Sequence, residues 1–318
     1  MRRRLFMGHI LRARRQIIGR PMASWQAHIT DMFARVTVKP RLAGKKDLAR
    51  ARAILSSGTL PPPAGALYRE ATLEDVSGEW VTSAHSTTTG PVLLYLHGGG
   101  YFTGSPKAHR PITASLAMAG FNVFVPEYRL APEHPYPAAV DDAEAVWDGL
   151  MALGFSAIAI AGDSAGGGLA LALMIRLRNK GKPLPAAAAL FSPWTDLAAT
   201  GNSLLSNARR DALFGAVGVK IAADWYLNGA EPRAPEASPL YGALAGLPPL
   251  FIEVGDREVL RDDSTRLAAR ALADGVSATL NVWPVVPHVW QLACSFLPEA
   301  RHSLAQTAAF LHGTRSLQ

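Results

Sequence analysis

The chain has 318 residues, of which 49% are hydrophobic and 18% are charged, a balance that excludes an intrinsically disordered protein and allows a sizeable core. Its net charge of +7 is concentrated at the start of the chain, because residues 1–20 carry seven arginines and no acidic residue. The remaining 25 basic residues balance 25 acidic ones, so the body of the protein is neutral and no nucleic-acid partner is expected.

Residues 1–21 are interpreted as a basic, disordered tail outside the fold. Their short apolar run leads into more arginine, unlike the cleavage site of a signal peptide. No apolar run in the chain approaches the roughly 18 residues of a membrane span, so no integral membrane segment is expected. The single cysteine, Cys294, excludes an internal disulfide and fits a reducing, cytoplasmic location.

Strands alternate with helices over residues 67–318. The candidate strands are 71–75, 79–83, 91–96, 121–126, 157–161, 186–191, 249–254 and 278–283. The candidate helices are 107–119, 138–153, 165–180, 260–273 and 299–312. Central strands such as "VLLYL" are apolar throughout, as strands covered on both faces are. The pattern predicts an α/β fold with a mostly parallel, eight-stranded sheet flanked by helices.

Two segments interrupt this alternation, residues 22–66 at the start and an insertion at about 197–238. Both have a helical character and neither continues the sheet. Open parallel sheets bind ligands outside the carboxyl ends of their strands. We therefore expect both segments to lie over that end of the sheet as a helical cap.

The stretch "VLLYLHGGGYFTGSPK", residues 92–107, runs from an apolar strand into three consecutive glycines. Such loops often bind phosphate, but the spacing here fits neither phosphate motif. The P-loop needs Lys directly after its last glycine, where Ser105 stands, and the dinucleotide motif needs glycine where Thr103 stands. The exposed backbone must therefore serve another purpose.

A second glycine cluster, "AIAIAGDSAGGGLALALMI", contains a G-x-S-x-G motif centred on Ser164. An apolar strand precedes the motif and an apolar helix follows it, which is the setting of a nucleophile elbow. The tight turn needs small residues two positions before and after the serine, as Gly162 and Gly166 are. Because the turn presents the hydroxyl at a helix N-terminus, Ser164 is the predicted nucleophile. Asp163 is expected to fix the elbow through hydrogen bonds.

The nucleophile gives the first glycine loop a purpose. Attack by serine on an ester carbonyl creates an oxyanion, which needs preorganised N–H donors. Glycines let a backbone approach that closely without obstruction by side chains. The amides of Gly99, Gly100 and Ala165 are therefore the predicted oxyanion hole, with Gly98 as a further candidate. His97 is expected to brace the loop rather than to transfer protons.

Several motifs, in this order, resemble the bacterial hormone-sensitive-lipase family (family IV) of α/β-hydrolase carboxylesterases. They are HGGG at 97–100, "EYRLAPEHPYPAAVDDA" at 127–143, GDSAGG at 162–167, "VGDREVLRDDS" at 254–264 and "VPHVWQ" at 286–291. The resemblance covers nearly everything from residue 67 onward and, more loosely, residues 22–66. It implies an α/β-hydrolase fold in which residues 67–318 are the catalytic domain.

In this fold the catalytic triad runs serine, acid and histidine along the chain. Only His288, His302 and His312 lie late enough to be the histidine. His302 and His312 fall among polar residues of the final predicted helix and are expected at the surface. His288 follows a strand in a loop, where the family also has its catalytic histidine, so it is the predicted general base and acid.

The triad acid should follow the strand "PLFIEVG". The candidates there are Asp256, Glu258, Asp262 and Asp263. The family pattern, an acid two residues before a leucine, selects Glu258, although most members have aspartate at that position. Either carboxylate can orient the imidazole. Asp262 remains the rival, although it also fits a plain role at the start of a helix.

The predicted pocket walls are Tyr101, Phe102, Phe214 and Trp25, together with Asp163 beside the nucleophile. No cluster of His, Cys and Asp has metal-ligand spacing, and no cofactor is expected. The resemblance implies a small ester substrate with a short or medium acyl chain. It also implies that the protein forms a homodimer.

Three alternatives to a carboxylesterase stay open. A lactonase or amidase could use the same triad, because a fold does not fix the substrate. A non-catalytic binder of small ligands is disfavoured by the complete set of serine, acid and histidine. A membrane-surface or nucleic-acid role that depends on the arginine-rich tail predicts loss of function when residues 1–21 are deleted, whereas an esterase should keep its turnover.

Overall fold

A single eight-stranded sheet forms the centre of the protein. The computed structural model describes residues 23–42, 47–56, 60–155 and 157–315, so the predicted tail at 1–21 lies outside the described residues. The strands are β1 Ala66–Leu73, β2 Val76–Ser83, β3 Val92–Leu96, β4 Asn122–Pro126, β5 Ile158–Asp163, β6 Ala188–Phe191, β7 Leu250–Gly255 and β8 Ala278–Trp283. Their order is β1-β2-β4-β3-β5-β6-β7-β8, antiparallel at β1/β2 and β2/β4 and parallel elsewhere. The predicted mostly parallel sheet is confirmed.

Helices cover both faces of the sheet. In the described part of the chain they are α1 Trp25–Phe33, α2 Lys39–Leu42, α3 Leu48–Ser56, α4 Arg110–Met118, α5 Ala138–Ala152, α6 Ala165–Asn179, α7 Ser203–Ser206, α8 Ala216–Leu227, α9 Arg261–Ala273 and α10 Pro298–Arg315. A π-helical segment, Ala34–Val38, joins α1 to α2. None of the described helices is long and apolar enough to cross a bilayer.

The first strand was predicted in the wrong place. The sequence pattern suggests strands at 71–75 and 79–83, whereas the structure has a hairpin whose strands end at Leu73 and restart at Val76. The two turn residues, Glu74 and Asp75, have φ of 44° and 65°. Two positive φ angles are the geometry of a tight hairpin turn, which glycine or asparagine usually signals. Without that signal, the turn looks like part of a strand.

The central strands separate two hydrophobic cores. Successive side chains of a strand point to opposite faces of the sheet. In β3, Leu94 and Leu96 pack into the core that contains α5 and α6, whereas Leu93 and Tyr95 pack into the core that contains α4 and α10. Burial on both faces explains why this strand is apolar throughout.

The parallel register brings the functional motifs to one edge of the sheet. Leu96 at the end of β3 pairs with Gly162 near the end of β5, and Gly255 at the end of β7 pairs with Trp283 at the end of β8. The glycine loop, the elbow, the acidic segment and the histidine loop each follow one of these strands. They therefore share the carboxyl edge, where ligands of open parallel sheets bind.

The N-terminal helices are fastened to the rest of the protein by polar contacts. The Ser24 backbone N–H and hydroxyl donate to Glu299 at the start of α10, over 2.7 and 2.9 Å. Arg52 on α3 donates to the carbonyls of Phe102 and Ala131, over 2.7 and 3.0 Å. Because Phe102 belongs to the glycine-loop region, α3 lies beside that loop.

Candidate active site

Ser164 stands on a strained turn between β5 and α6. Its φ of 53° and ψ of −120° are unfavourable for any residue with a side chain. Glycine is required on both sides of Ser164. A Cβ on Gly162 would lie 2.4 Å from the Gly166 carbonyl oxygen, and a Cβ on Gly166 would lie 2.0 Å from the Leu96 carbonyl oxygen. The sequence GDSAG therefore forms the turn geometry of a nucleophile elbow, with Ser164 at the N-terminus of α6.

The glycine loop lies against the elbow. Gly99 and Gly100 have φ of 122° and 62°, the left-handed region that favours glycine. The Gly98 N–H donates to Asp163 Oδ1 over 3.0 Å, so this amide already has an acceptor. Within the described residues no acceptor faces the N–H groups of Gly99 and Gly100. All three glycines line the same cavity as Ser164.

Asp163 holds the glycine loop to the elbow. Besides the Gly98 amide, its Oδ1 accepts the Tyr95 hydroxyl over 2.7 Å, and its Oδ2 lies 3.4 Å from His109 Nε2. Burial alone would raise the pKa of Asp163, but the charge and hydrogen bond of His109 outweigh it and hold the pKa below its usual value. The expectation that Asp163 fixes the elbow through hydrogen bonds agrees with these contacts. His109, which also lines the cavity, was not singled out in the sequence because no motif contains it.

His97 sits beneath the glycine loop as a neutral ring. Its Nδ1 lies 2.8 Å from the Gly98 carbonyl oxygen, to which it donates, and its ring stacks on Tyr128. Burial and repulsion by His109 lower the pKa of His97 to about 3. A ring that stays uncharged down to that pH supports the loop and is unsuited to accept protons near neutrality.

His288 lines the cavity and meets Glu258 behind it. His288 Nδ1 lies 2.6 Å from Glu258 Oε2, and both side chains are buried. Burial would lower the pKa of His288, but the charge of Glu258 and its hydrogen bond outweigh it and raise the pKa above its ordinary value. Because Nδ1–H donates to the carboxylate, Nε2 carries the lone pair. That Nε2 is buried and has no partner among the described residues, in the cavity that Ser164 also lines.

The Glu258 carboxylate is fixed by the neighbouring strands. Its Oε1 accepts the Gly255 N–H over 2.6 Å and the Ser192 hydroxyl over 2.7 Å. The Asn207 side-chain amide donates to the Glu258 carbonyl oxygen over 2.9 Å. These bonds satisfy one carboxylate oxygen with protein donors and leave the other for His288.

The other acidic candidates point elsewhere. Asp262 accepts the Ser203 N–H over 2.9 Å near the start of α9, and Asp256 pairs with Arg210 over 2.9 Å. Asp263 accepts the N–H groups of Thr195 and Asp196 over 2.8 and 2.9 Å. None of the three contacts His288 in the described structure.

A cavity of about 800 Å³ opens in front of Ser164 and His288. Three of the predicted wall residues line it, namely Phe102, Phe214 and Asp163. Phe214 also meets the His288 ring edge-on, with ring centroids 5.1 Å apart.

Two of the predicted wall residues do not line the cavity. Tyr101 is buried and stacks on Tyr226 with centroids 3.7 Å apart, behind the wall. Trp25 is 63% exposed and packs edge-on against Phe296. Position in the sequence near a motif or within the first helix does not determine which side of the backbone a ring occupies.

Most of the apolar wall comes from the two helical segments that interrupt the sheet. Residues of the N-terminal helices and of α8 contribute, including Ala34, Leu42, Leu55, Val219, Ala222 and Trp225. The sequence marked both segments as lying over the sheet but gave no signal for individual residues. Within the described residues no group of three or more His, Cys, Asp or Glu is arranged to hold a metal ion.

Comparisons with known proteins agree with this architecture. A family model described as alpha/beta hydrolase fold matches residues 93–292. A Streptomyces hygroscopicus protein named acetyl-hydrolase is 43% identical over 267 residues, which is 83% of this chain and 88% of the relative. An Acinetobacter venetianus protein named esterase is 33% identical, and the match covers 90% of this chain and 96% of the relative.

Solved structures extend the likeness to the whole described fold. A crystal structure of an esterase from the bacterial hormone-sensitive lipase family is 40% identical, with a TM-score of 0.86 over 92% of this chain and 98% of that one. A structure of EstE5 is 36% identical, with a TM-score of 0.88 over 92% and 99%. The fold and the family match define an α/β hydrolase. The chain belongs to the hormone-sensitive-lipase family of α/β-hydrolase esterases, as the resemblance of its motifs predicted.

The contact between Gly98 and Asp163 leads to a testable expectation. A Cβ on Gly98 would lie 2.0 Å from Asp163 Oδ2, so Gly98→Ala must displace either the loop or the carboxylate. We expect kcat for an ester substrate to fall by about 10²-fold, the scale on which a misplaced oxyanion donor acts. Steady-state kinetics with a chromogenic ester measures the loss.

Gly313→Ala is the matched control, because a Cβ there meets nothing within 4 Å. It should leave kcat unchanged and should not lower the melting temperature, because alanine favours the α10 helix over glycine. A Gly98→Ala variant that melts normally yet retains full kcat would show that the loop position has no part in turnover.

Proposed function

We propose that this protein is a serine carboxylesterase that hydrolyses esters with short or medium acyl chains through an acyl-Ser164 intermediate. The observation that carries the proposal is the buried bond between His288 Nδ1 and Glu258 Oε2, behind a cavity that Ser164 also lines. An acid, an imidazole and a hydroxyl on a strained elbow are the components of a nucleophilic triad. The relatives named esterase and acetyl-hydrolase support the same reaction class.

In the acylation step, the Ser164 hydroxyl attacks the ester carbonyl carbon while His288 Nε2 takes its proton. Glu258 stabilises the imidazolium and keeps Nδ1 protonated, so that Nε2 is free to accept. The tetrahedral intermediate then collapses, the bond to the alcohol oxygen breaks, and His288 returns the proton to that oxygen. The products of this step are a free alcohol and an acyl ester on Ser164.

In the deacylation step, water takes the place of the alcohol. His288 Nε2 removes a proton from the water as it attacks the acyl carbonyl. Collapse of the second intermediate releases the carboxylic acid, and the proton returns to Ser164. No redox or metal chemistry is needed for either step.

The backbone amides of Gly99, Gly100 and Ala165 are the proposed donors to the oxyanion of both intermediates. Among the described residues the N–H groups of Gly99 and Gly100 have no acceptor, and Ala165 begins α6 directly after the nucleophile. Gly98, whose amide binds Asp163, supports the loop instead. Donors that are already in place stabilise the developing charge without reorganisation.

The substrate range is assigned to uncharged esters of modest size. The two helical segments, 22–66 and about 197–238, act as a cap that encloses the acyl or alcohol group, since their side chains form most of the apolar wall. We also propose a cytoplasmic location, because the chain has a single cysteine. We propose a homodimer because of the family resemblance.

A time course with chromogenic esters of rising acyl length tests the proposal directly. We expect turnover to be highest for short and medium chains and to decline as the acyl group outgrows the cavity of about 800 Å³. Matched lactone and amide substrates are run in parallel. Folded protein that leaves every ester intact would overturn the esterase, and selective turnover of lactones or amides would reassign the triad to one of those reactions.

A further inference from the structure

Helix α1 and the π-helical segment after it present large apolar side chains to solvent and the Asp31 carboxylate to the protein. Trp25, Phe33 and Val36 are 63, 64 and 67% exposed. Ile29 and Met32 are also exposed, and at about 100° per residue all five fall on one side of the helix axis. These five residues are termed the α1 apolar face. The opposite side, with Ala27, Asp31 and Ala34, is buried.

This orientation is fixed by the contacts of the buried side. Asp31 Oδ2 lies 3.1 Å from Arg35 and 3.2 Å from Arg257, and Arg35 also donates to the carbonyl of Arg209 over 2.5 Å. Rolling the helix to hide the apolar face would break the pair of Asp31 with Arg257 and the bond of Arg35 to the Arg209 carbonyl, and would expose a buried carboxylate. The α1 apolar face is therefore held outward, and a contiguous patch of this kind marks an interaction site.

The charge of the sequence that contains and precedes the α1 apolar face selects its partner. Residues 1–42 contain ten Lys and Arg residues and a single acidic residue, Asp31, which is buried. Seven of the ten precede α1 directly in the sequence. A second copy of this face would bring like charge against like charge, whereas an anionic bilayer would meet both the apolar stripe and the arginines.

We propose that the α1 apolar face binds the surface of an anionic lipid bilayer. Trp and Phe side chains insert at the boundary between headgroups and acyl chains, and the arginines of residues 1–20 bind lipid phosphates. Ala34, on the opposite and buried side of the same segment, lines the cavity, so the helix lies between the bound membrane and the cavity.

Vesicle cosedimentation of the full chain tests the proposal. Wild type should bind vesicles of phosphatidylcholine with phosphatidylglycerol and should bind pure phosphatidylcholine far less. Phe33→Ser with Val36→Ser should weaken binding by about tenfold or more, because the two most exposed apolar side chains of the face are lost. Leu205→Ser, at a side chain that is 80% exposed outside this face, is the matched control and should bind as wild type does. High salt should weaken wild-type binding by screening the arginines.

Two further measurements distinguish membrane binding from the proposed esterase activity and from dimerisation. Brominated lipids should quench part of the tryptophan fluorescence, and Trp25→Phe should remove that quenching. Turnover of a water-soluble ester should be the same in the double variant as in wild type, so a failed esterase assay and failed vesicle binding are distinct results. Failure of the wild-type protein to bind anionic vesicles would overturn the proposal. If the double variant instead converts a dimer to a monomer in sedimentation velocity, the face is an interface between copies.

Discussion

Replacing Ser164 with Ala is expected to lower kcat for a short chromogenic ester by about 10⁴-fold or more, the scale seen when a serine nucleophile is removed. The hydroxyl is the atom that forms the acyl intermediate, and the remaining oxyanion donors and cavity give only residual rate enhancement. The backbone at this position is strained for any side chain, so alanine is accommodated where serine is. Stopped assays over long times, with matched enzyme concentrations, measure the loss.

Ser264→Ala is the matched control for that experiment. Ser264 is buried on α9, and its hydroxyl has no hydrogen-bond partner within the described structure. Its removal should leave kcat within about twofold of wild type, because no hydrogen bond is lost. A serine-directed sulfonyl fluoride should add to wild type and to Ser264→Ala, as intact-mass spectrometry can show, and should spare Ser164→Ala. Ordinary turnover by a folded Ser164→Ala protein would overturn the acyl-enzyme mechanism.

The features that the sequence predicted correctly depend on local chemistry. The sheet followed from apolar strands alternating with helices, because burial on both faces keeps the central strands largely apolar. The elbow turn followed from the small residues on either side of Ser164, and the close Cβ approaches at Gly162 and Gly166 give the steric reason. The role of Ser164 as nucleophile stays a prediction. Turn geometry and strand burial depend on a few neighbouring residues, so they can be predicted from one sequence.

The features that were missed depend on distant contacts. His109 pairs with Asp163 from 54 positions away, and nothing near either residue signals the other. Tyr101 and Trp25 are predicted wall residues, yet Tyr101 stacks on Tyr226 and Trp25 faces outward. Which way a ring points is decided by packing between segments that the sequence does not connect.

The choice of acid shows how the two kinds of information combine. The sequence left Glu258 and Asp262 open, since both follow the same strand. The tertiary contacts distinguish them: Glu258 meets His288, whereas Asp262 accepts the Ser203 N–H near the start of α9. A glutamate also has the reach to accept the Gly255 N–H with one oxygen while holding His288 with the other. These contacts favour Glu258 over Asp262 as the proposed triad acid.

Glu258→Gln should lower kcat by about 10³–10⁴-fold, comparable to the loss when an amide replaces the triad acid elsewhere. If the new amide nitrogen faces His288, it meets Nδ1–H donor to donor and favours the tautomer whose Nε2 cannot accept a proton. If the amide is flipped, its nitrogen instead meets the donating Gly255 N–H. Neither orientation satisfies both sides, so the variant cannot imitate the carboxylate. Asp262→Asn is the matched control and should stay near wild type, since an amide oxygen can still accept the Ser203 N–H.

The pH profile gives the sharper comparison, because it reports on His288 itself. The base must be neutral, so kcat/KM falls as pH drops below the pKa of His288, which Glu258 raises above its usual value. Removing the carboxylate stabilises the imidazolium less and lowers this pKa. The acidic limb of Glu258→Gln should therefore move to lower pH while its plateau falls, and that of Asp262→Asn should not move. The reverse result, with Asp262→Asn shifted and Glu258→Gln normal, would reassign the acid to Asp262. If Glu258→Gln lowers the plateau of kcat/KM but does not move its acidic limb, Glu258 only positions the loop. An orienting role without charge leaves the proton affinity of the imidazole unchanged.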